Sequence, residues 1–274
     1  GGFDSMALLD IMQKRGYRMV VCHVNYHLRN DSDLDQKTVE DYCKMHNIAC
    51  FVKEIDSKEY SKENFQMQAR ELRYQFYREI ASKYNTNEVV LAHHLDDVIE
   101  NIVMQLQRNN TKGYLGIKDV SDVFGVVVIR PFLEVRKQAL RNYCHDHTNF
   151  ETDFTRDFVR NVTLKKYSEK QIEELLIQAK CHNERYLKNL ELVQVYIHQY
   201  HQKEMIDYHL IPDNLLECFI YEIIKENVYP PLISDSLIKE IIKQINSDKP
   251  NIEMDLPVNI RFIKEYDNIC VSNL

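Results

Sequence analysis

Glycine is scarce in this chain, six in 274 residues, and the familiar glycine-rich nucleotide loops are missing. No GxxxxGK[ST] occurs, which excludes a Walker-type site, and no GxGxxG occurs, which excludes a standard dinucleotide loop. A protein-kinase signature is also absent. The seven cysteines are scattered, odd in number and without a CxxC pair, which excludes a zinc ribbon or an iron–sulfur site and suits a reducing cytoplasm. No apolar run approaches the roughly 20 residues a membrane span needs. No secretory leader is visible. Repeats and low-complexity segments are lacking. The net charge of −7 is not a bulk nucleic-acid-binding composition.

The chain opens instead on Gly1, Gly2, Phe3, Asp4 and Ser5, running directly into the apolar helical stretch MALLDIM. Two glycines let a backbone fold tightly and bring its N–H groups close to an anion. The following helix points its positive end at the same spot. Asp4 and Ser5 stand where a helix N-cap is expected. An ordinary Gly-Gly turn before a helix is the plain alternative. A buried strand normally precedes such a loop, so a first strand is expected upstream of Gly1.

Buried-type strands and amphipathic helices then alternate. Helices are predicted at Met6–Lys14, ended by Gly16, and from Asp31 or Ser32 to about His46. Others are expected over about Asn64–Lys83, Leu95–Arg108 and Lys137–His147. Strands are predicted at Arg18–Val24, Ile48–Val52, Glu88–Ala92 and Val126–Ile129, the last stopped by Pro131. This order predicts an α/β fold with a doubly wound parallel sheet, Rossmann-like, with ligands at the carboxyl ends of the strands. The Gly-Gly loop and HHLDD fall at that edge. A boundary is expected near Tyr167, giving domains over 1–167 and 168–274. There Ser168 and Gln171 form a capping-box pattern, with Tyr167 and Ile172 spaced as a hydrophobic staple. The second domain is expected to be mainly helical, with one long helix, two shorter ones and a closing hairpin. Acidic residues outnumber basic ones from Ser168 onward. Basic residues thicken between Arg130 and Lys166, where a polyanion would most plausibly meet the chain.

LAHHLDDVIEN, residues 91–101, is the strongest internal constellation. Asp97 and Glu100 are spaced i, i+3 and share a helix face, where two carboxylates can hold Mg²⁺ or an ammonium group. They can also simply complement the helix dipole. His93 and His94 precede that helix. An HHxDD metal site is a weaker reading, because no distant ligands are evident. Arg70 and Arg73 are also i, i+3. They can face the ligand edge or pair on the surface with Glu71 or Glu79.

Together these segments resemble one family. The GGFDS opening resembles the SGGxDS loop of the ATP pyrophosphatases, or PP-loop enzymes. CHVNYHLRNDSDLDQKTVEDYC resembles the segment HVNHGLR, acids and a cysteine-bearing helix of their lysidine-forming branch, the tRNA(Ile)-lysidine synthases. NFQMQARELRYQFY resembles the ARxxRY helix, AHHLDDVIEN the AHHxDDxxET motif, IRPFLEVRKQALRNYC the RPLL segment and FVRNV the RN motif. The match runs in the right order to about residue 165.

The resemblance implies that ATP adenylates O2 of the wobble cytidine in the CAU anticodon of tRNA(Ile), releasing pyrophosphate. The ε-amine of free lysine then attacks C2 and expels AMP. It further implies that Gly1, Gly2, Phe3, Asp4, Ser5 and His93 bind ATP, with Asp4 a Mg²⁺ ligand. Asp97 and Glu100 would pair with the lysine ammonium, while Arg73 and Arg160 would contact the lysine carboxylate or phosphate. Asp4, Asp97 and Glu100 would be the catalytic set. Family members are often dimeric, which leaves a homodimer open. Three departures fall mostly around Arg160. The region before it reads FETDFTRDFVRN, Leu164 stands where the family has arginine, and His27 replaces the glycine of HGLR. The rivals are a tRNA thiolase, which generally uses paired cysteines, and an amidating ligase, which needs an ammonia source. A non-catalytic nucleotide-binding module is disfavoured by intact Asp4, Asp97 and Glu100.

Overall fold

A computed structural model describes residues 1–28, 31–55, 65–141, 167–227, 233–257 and 259–273. These fall into two compact units, one from Gly1–Val98 with Lys118–Val159, the other from Ile99–Ile117 with Arg160–Leu274. The expected single cut near Tyr167 did not foresee that residues 99–117 join the C-terminal unit.

In the first unit, α1 spans Phe3–Lys14, β1 Val20–Asn25, α2 Ser32–Met45 and β2 Ala49–Glu54. Next come α3 at Phe65–Lys83, β3 at Glu88–Val90 and the start of α4, Leu95–Gln107, whose residues from Ile99 onward belong to the second unit. Two short strands follow, β4 at Val120–Val123 and β5 at Val126–Ile129. Strands β1 and β2 pair in parallel, Val20 opposite Ala49, and β3 and β5 pair in parallel, Glu88 opposite Val127. Helices lie on both faces, and the alternation of strand side chains shows why. Val90 points toward Leu8, Ile11 and Phe132 on the α1 side. Its neighbours Val89 and Leu91 point instead toward Tyr74 and Tyr77 of α3. Helices α1 and α2 share a second cluster, Met6, Leu9, Val39, Tyr42 and Cys43, packed on Val21 and Cys50 of β1 and β2.

The α/β reading with parallel strands between helical layers holds, but among the described residues the strands form two sheets, β1-β2 and β3-β5-β4, where one was expected, and there is one addition. Strand β4 is antiparallel to β5 and closes a hairpin at Phe124 and Gly125, both at positive φ (52° and 79°). That is the two-residue primed turn whose twist suits a hairpin. The helix expected at 137–147 is helical over 137–141, and its remainder lies outside the described residues.

In the second unit, the capping box forms as the spacing predicts. Ser168 Oγ accepts from the Gln171 N–H at 3.3 Å, and Gln171 Oε1 accepts from the Ser168 N–H at 2.8 Å. It starts α5, Glu169–Lys203. Helices α6 (Asp213–Lys225) and α7 (Asp235–Ile245) follow. The closing hairpin exists but is part of a larger sheet. Strands β6 (Ile206–Asp207), β7 (Asn251–Leu256), β8 (Ile260–Glu265) and β9 (Asn268–Asn273) lie in the order β6-β9-β8-β7. Phe219, Ile220, Ile238 and Phe262 are fully buried at the centre of this unit. A Cβ on Gly113 would collide with the Tyr221 hydroxyl, so this unit's core requires glycine there.

Candidate active site

Helix α1 begins three residues earlier than predicted. Its N-cap is Gly2, whose carbonyl accepts from the N–H groups of Ser5 (3.1 Å) and Met6 (3.1 Å). Asp4 and Ser5 are therefore first-turn residues and not caps, a correction to the sequence reading. The glycines have separate reasons. A Cβ on Gly1 would collide with the Asp35 backbone, whereas one on Gly2 would meet nothing within 4 Å. Gly1 allows a close approach, and Gly2 leaves open space at the helix N-terminus, where the dipole favours an anion. Phe3 turns its side chain into the apolar cluster of Leu8 and Phe132, and Ser5 is exposed.

Helix α4 starts against the chain just after β5. His94 bridges Phe132, and the Leu95 N–H donates to the Val135 carbonyl at 2.9 Å. His94 and Asp97 form a reciprocal cap. The His94 N–H donates to Asp97 Oδ2 at 2.9 Å, and the Asp97 N–H donates to His94 Nδ1 at 3.3 Å. This is the logic of a capping box with an imidazole in place of a hydroxyl. Asp97 thus serves the helix end as well as any ligand. Asp96 ties in the neighbouring segment, accepting from Arg136 Nη1 at 3.0 Å and the Lys137 N–H at 2.7 Å.

Asp4 meets this cap. Its Oδ2 lies 3.7 Å from His94 Nε2 and 3.5 Å from Lys137 Nζ. Its Oδ1 is buried without a hydrogen-bond partner. Burial works to raise the Asp4 pKa, but the His94 imidazole and the Lys137 ammonium outweigh it and hold the carboxyl below its usual value. His94 shows the converse. Burial lowers its pKa, yet the Asp4, Asp97 and Asp96 carboxylates around it leave it raised.

His93 behaves oppositely to its neighbour. Burial depresses its pKa, the Asp97 charge opposes this, and Arg130, Arg73 and Arg70 add to the depression. Its Nδ1 is buried with no hydrogen-bond partner. Arg70 and Arg73 lie over the Tyr74 ring, 5.1 Å and 5.8 Å from its centroid. Glu79, offered as their surface partner, pairs with Lys83 at 2.9 Å instead. Arg130 is buried, its Nη1 donating to Lys118 O at 2.7 Å and Ser121 Oγ at 2.9 Å.

Of the predicted site residues, Gly1, Gly2 and Asp4 stand together beside the α4 cap that contains Asp97, and His93 immediately precedes that cap. Arg73 joins the arginines around His93. Glu100 follows Asp97 by three residues on α4. Arg160 lies outside the described residues. Sequence reasoning missed Lys137 and Arg136 at this site, and left His94 without a stated role. A basic pair just after the RPFLEV run was the available signal. Among the described residues no group of three or more His, Cys, Asp or Glu is arranged to hold a metal ion. An open hollow of about 480 Å³, lined by Arg78, Asn87 and Gly125, sits at the amino ends of β3 and β5, away from these residues. No helix among the described residues is long and apolar enough to cross a membrane.

A PP-loop domain is recognised over residues 1–167. The tRNA(Ile)-lysidine synthase of Ureaplasma parvum serovar 3 is 34% identical over 300 residues, covering 100% of this chain and 89% of its own. That of Malacoplasma penetrans is 34% identical over 266 residues, covering 91% and 88%. A solved U34-tRNA thiolase from Methanococcus maripaludis aligns at TM-score 0.48 and 12% identity, covering 67% of this chain and 69% of its own, a likeness too slight to carry an argument.

Proposed function

This chain belongs to the PP-loop family and, within it, to the tRNA(Ile)-lysidine synthases, and from that premise we propose that it ligates lysine to the wobble cytidine of a CAU-anticodon tRNA(Ile) at the expense of ATP. The reaction has two steps. Cytidine O2 attacks the α-phosphorus of ATP, the bond to the bridging oxygen breaks, and pyrophosphate leaves. The ε-ammonium of lysine gives up a proton to solvent, the neutral amine attacks C2, AMP departs with the electron pair of the C2–O bond, and the new C–N nitrogen releases a second proton.

The observation that carries this reading is Asp4. It is the second residue of α1, two beyond the open N-cap Gly2, ionised at neutral pH, with one carboxylate oxygen buried and unpartnered. An unsatisfied buried oxygen costs stability unless a ligand completes it. Gly1, Gly2 and Ser5 offer N–H and hydroxyl groups to phosphate at the positive end of α1. Asp4 Oδ1 is the oxygen that would hold a Mg²⁺ ion, which would supply charge neutralisation at the triphosphate.

Asp97 and Glu100 pair with the lysine ammonium, whose two acidic contacts select a long cationic side chain. Arg73 takes the lysine carboxylate, with Arg160 as its expected companion. His93 binds ATP at the end of β3 as a neutral imidazole, the state that its burial and the three neighbouring arginines favour. The acidic C-terminal unit cannot grip tRNA by bulk charge, so recognition rests on shape and local basic residues.

The test separates the two steps. ATP labelled at the α-phosphorus, with lysine withheld, should label a CAU-anticodon tRNA, and adding lysine should release that label as AMP. AMP formation without tRNA labelling would contradict the adenylated intermediate. Labelling that persists when the wobble base is changed from cytidine would contradict its site.

A further inference from the structure

Two thiols packed against α1 have no part in the reaction proposed above. Cys43 lies near the end of α2 and is 1% exposed, while Cys50 is the second residue of β2 and half-buried. Both belong with the apolar cluster of Met6, Leu9, Val39 and Tyr42. The Cys43 thiol donates a hydrogen bond to the Cys50 sulfur. The turn between them is held at several points. The Ile48 N–H donates to the Cys43 carbonyl at 2.8 Å, Asn47 takes a positive φ (54°), and the Tyr42 hydroxyl donates to Asp10 Oδ1 of α1 at 3.0 Å. A third thiol, Cys22, stands opposite Phe51 in the β1–β2 register, whereas Cys50 stands opposite Val21. Successive strand side chains point to opposite faces, so Cys22 is on the far side of the sheet from Cys50.

We propose that Cys43 and Cys50 form a reversible oxidation site for hydrogen peroxide, in which Cys50 takes the oxygen and Cys43 closes a disulfide. The inference does not depend on the ligase reaction. Cys50 reacts first because it is the thiol that solvent reaches. The hydrogen bond from Cys43 also holds its pKa below the ordinary thiol value, against burial and the charge of Glu40. The same bond, together with burial, pushes the Cys43 thiol up, so Cys43 keeps its proton. The Cys50 thiolate attacks one peroxide oxygen, the O–O bond breaks, and the departing hydroxide takes up a proton to become water. Cys50 is then a sulfenic acid, oxidised by two electrons, and the peroxide is the species reduced. The Cys43 sulfur next attacks the Cys50 sulfur, the S–O bond breaks, and the oxygen leaves as water with the Cys43 proton. Contact between the two sulfurs stops oxidation at the disulfide, short of the irreversible sulfinic acid. A thiol reductant returns the pair to the dithiol by exchange.

The experiment treats the full chain with limiting hydrogen peroxide, alkylates the remaining thiols, digests with trypsin and maps the peptide masses. Cleavage after Lys37, Lys44 and Lys53 puts the two cysteines on separate peptides, Thr38–Lys44 and Met45–Lys53. The expected result is these two peptides joined, and separated again by dithiothreitol. In Cys43→Ala, sulfenic acid trapped by dimedone should accumulate at Cys50, followed by sulfinic acid that dithiothreitol does not reverse. If that variant fails to fold, Cys50→Ser, at the half-buried position, is decisive, and Cys43 should then remain a free thiol at the same peroxide dose. Peptides joined through Cys22 instead would overturn the inference. So would Cys43 and Cys50 left unmodified at a dose that oxidises the exposed Cys181, or Cys43 oxidised in Cys50→Ser.

Discussion

Replacing Asp4 with Asn tests whether this carboxylate serves the fold or the chemistry. The substitution keeps shape and removes charge. Asp4 and Lys137 are each about a quarter exposed and 3.5 Å apart, with His94 Nε2 at 3.7 Å. A pair that loose and that wet is worth ~1 kcal/mol at most. In a unit of this size that lowers Tm by about 2–4 °C. Catalysis should suffer far more. Removing a group that acts on charge at the reacting phosphate costs about 10²–10³ in rate, or ~2.7–4 kcal/mol of barrier. The assay is initial-rate pyrophosphate release with saturating tRNA, alongside a thermal melt. The reasoning is refuted if activity falls less than about threefold, or if Tm drops by ~8 °C or more in step with activity. The first result would remove Asp4 from the reaction, and the second would make it a structural residue.

Three further outcomes are expected. Glu100→Gln should raise the KM for lysine by about tenfold or more, the worth of one charge-assisted bond, with the KM for ATP nearly unchanged; steady-state kinetics with each substrate varied decides it. The adjacent histidines should titrate by NMR on opposite sides of ~6.5, His94 above and His93 below. By linkage, His94 contributes stability that is full below that value and fades as pH rises through its folded pKa. His93 costs stability as pH falls from that value through its folded pKa. Titration of both on the same side would contradict the electrostatics described. Ser168→Ala should destabilise the C-terminal unit by ~1 kcal/mol through loss of the capping box, read by urea unfolding; an unchanged midpoint would mean the cap is frayed in solution.

Much of the architecture was legible because burial writes itself into periodicity. Val89, Val90 and Leu91 alternate between two helical layers, and a run buried on both faces reads as apolar throughout. The Ser168–Gln171 box was legible because its partners are three residues apart. The β4–β5 hairpin was not, since its turn is Phe124–Gly125, without the Asn-Gly or Asp-Gly that usually marks a primed turn. Strand β7, Asn251–Leu256, was legible and missed: Asn251, Glu253 and Asp255 alternate strictly with Ile252, Met254 and Leu256, the period-2 pattern of a half-buried strand, and it pairs with β8. The start of α1 was read late because Asp4 and Ser5 are good caps by type, while the observed cap, Gly2, works through its backbone alone. Asp4 and Asp97 could be proposed from motifs, but their partners could not. His94, Asp96, Arg136 and Lys137 come together across about forty residues of chain, and no local pattern states such a distance.

The most direct measurement of the central claim is transfer of radiolabelled lysine into tRNA by the full chain. With ATP, Mg²⁺ and a tRNA(Ile) bearing a CAU anticodon, the account predicts acid-stable label in the tRNA. That label should depend on ATP and disappear when the wobble cytidine is replaced. Absence of label, with AMP still formed on a different tRNA or a small molecule, would contradict lysidine formation and leave only the PP-loop chemistry.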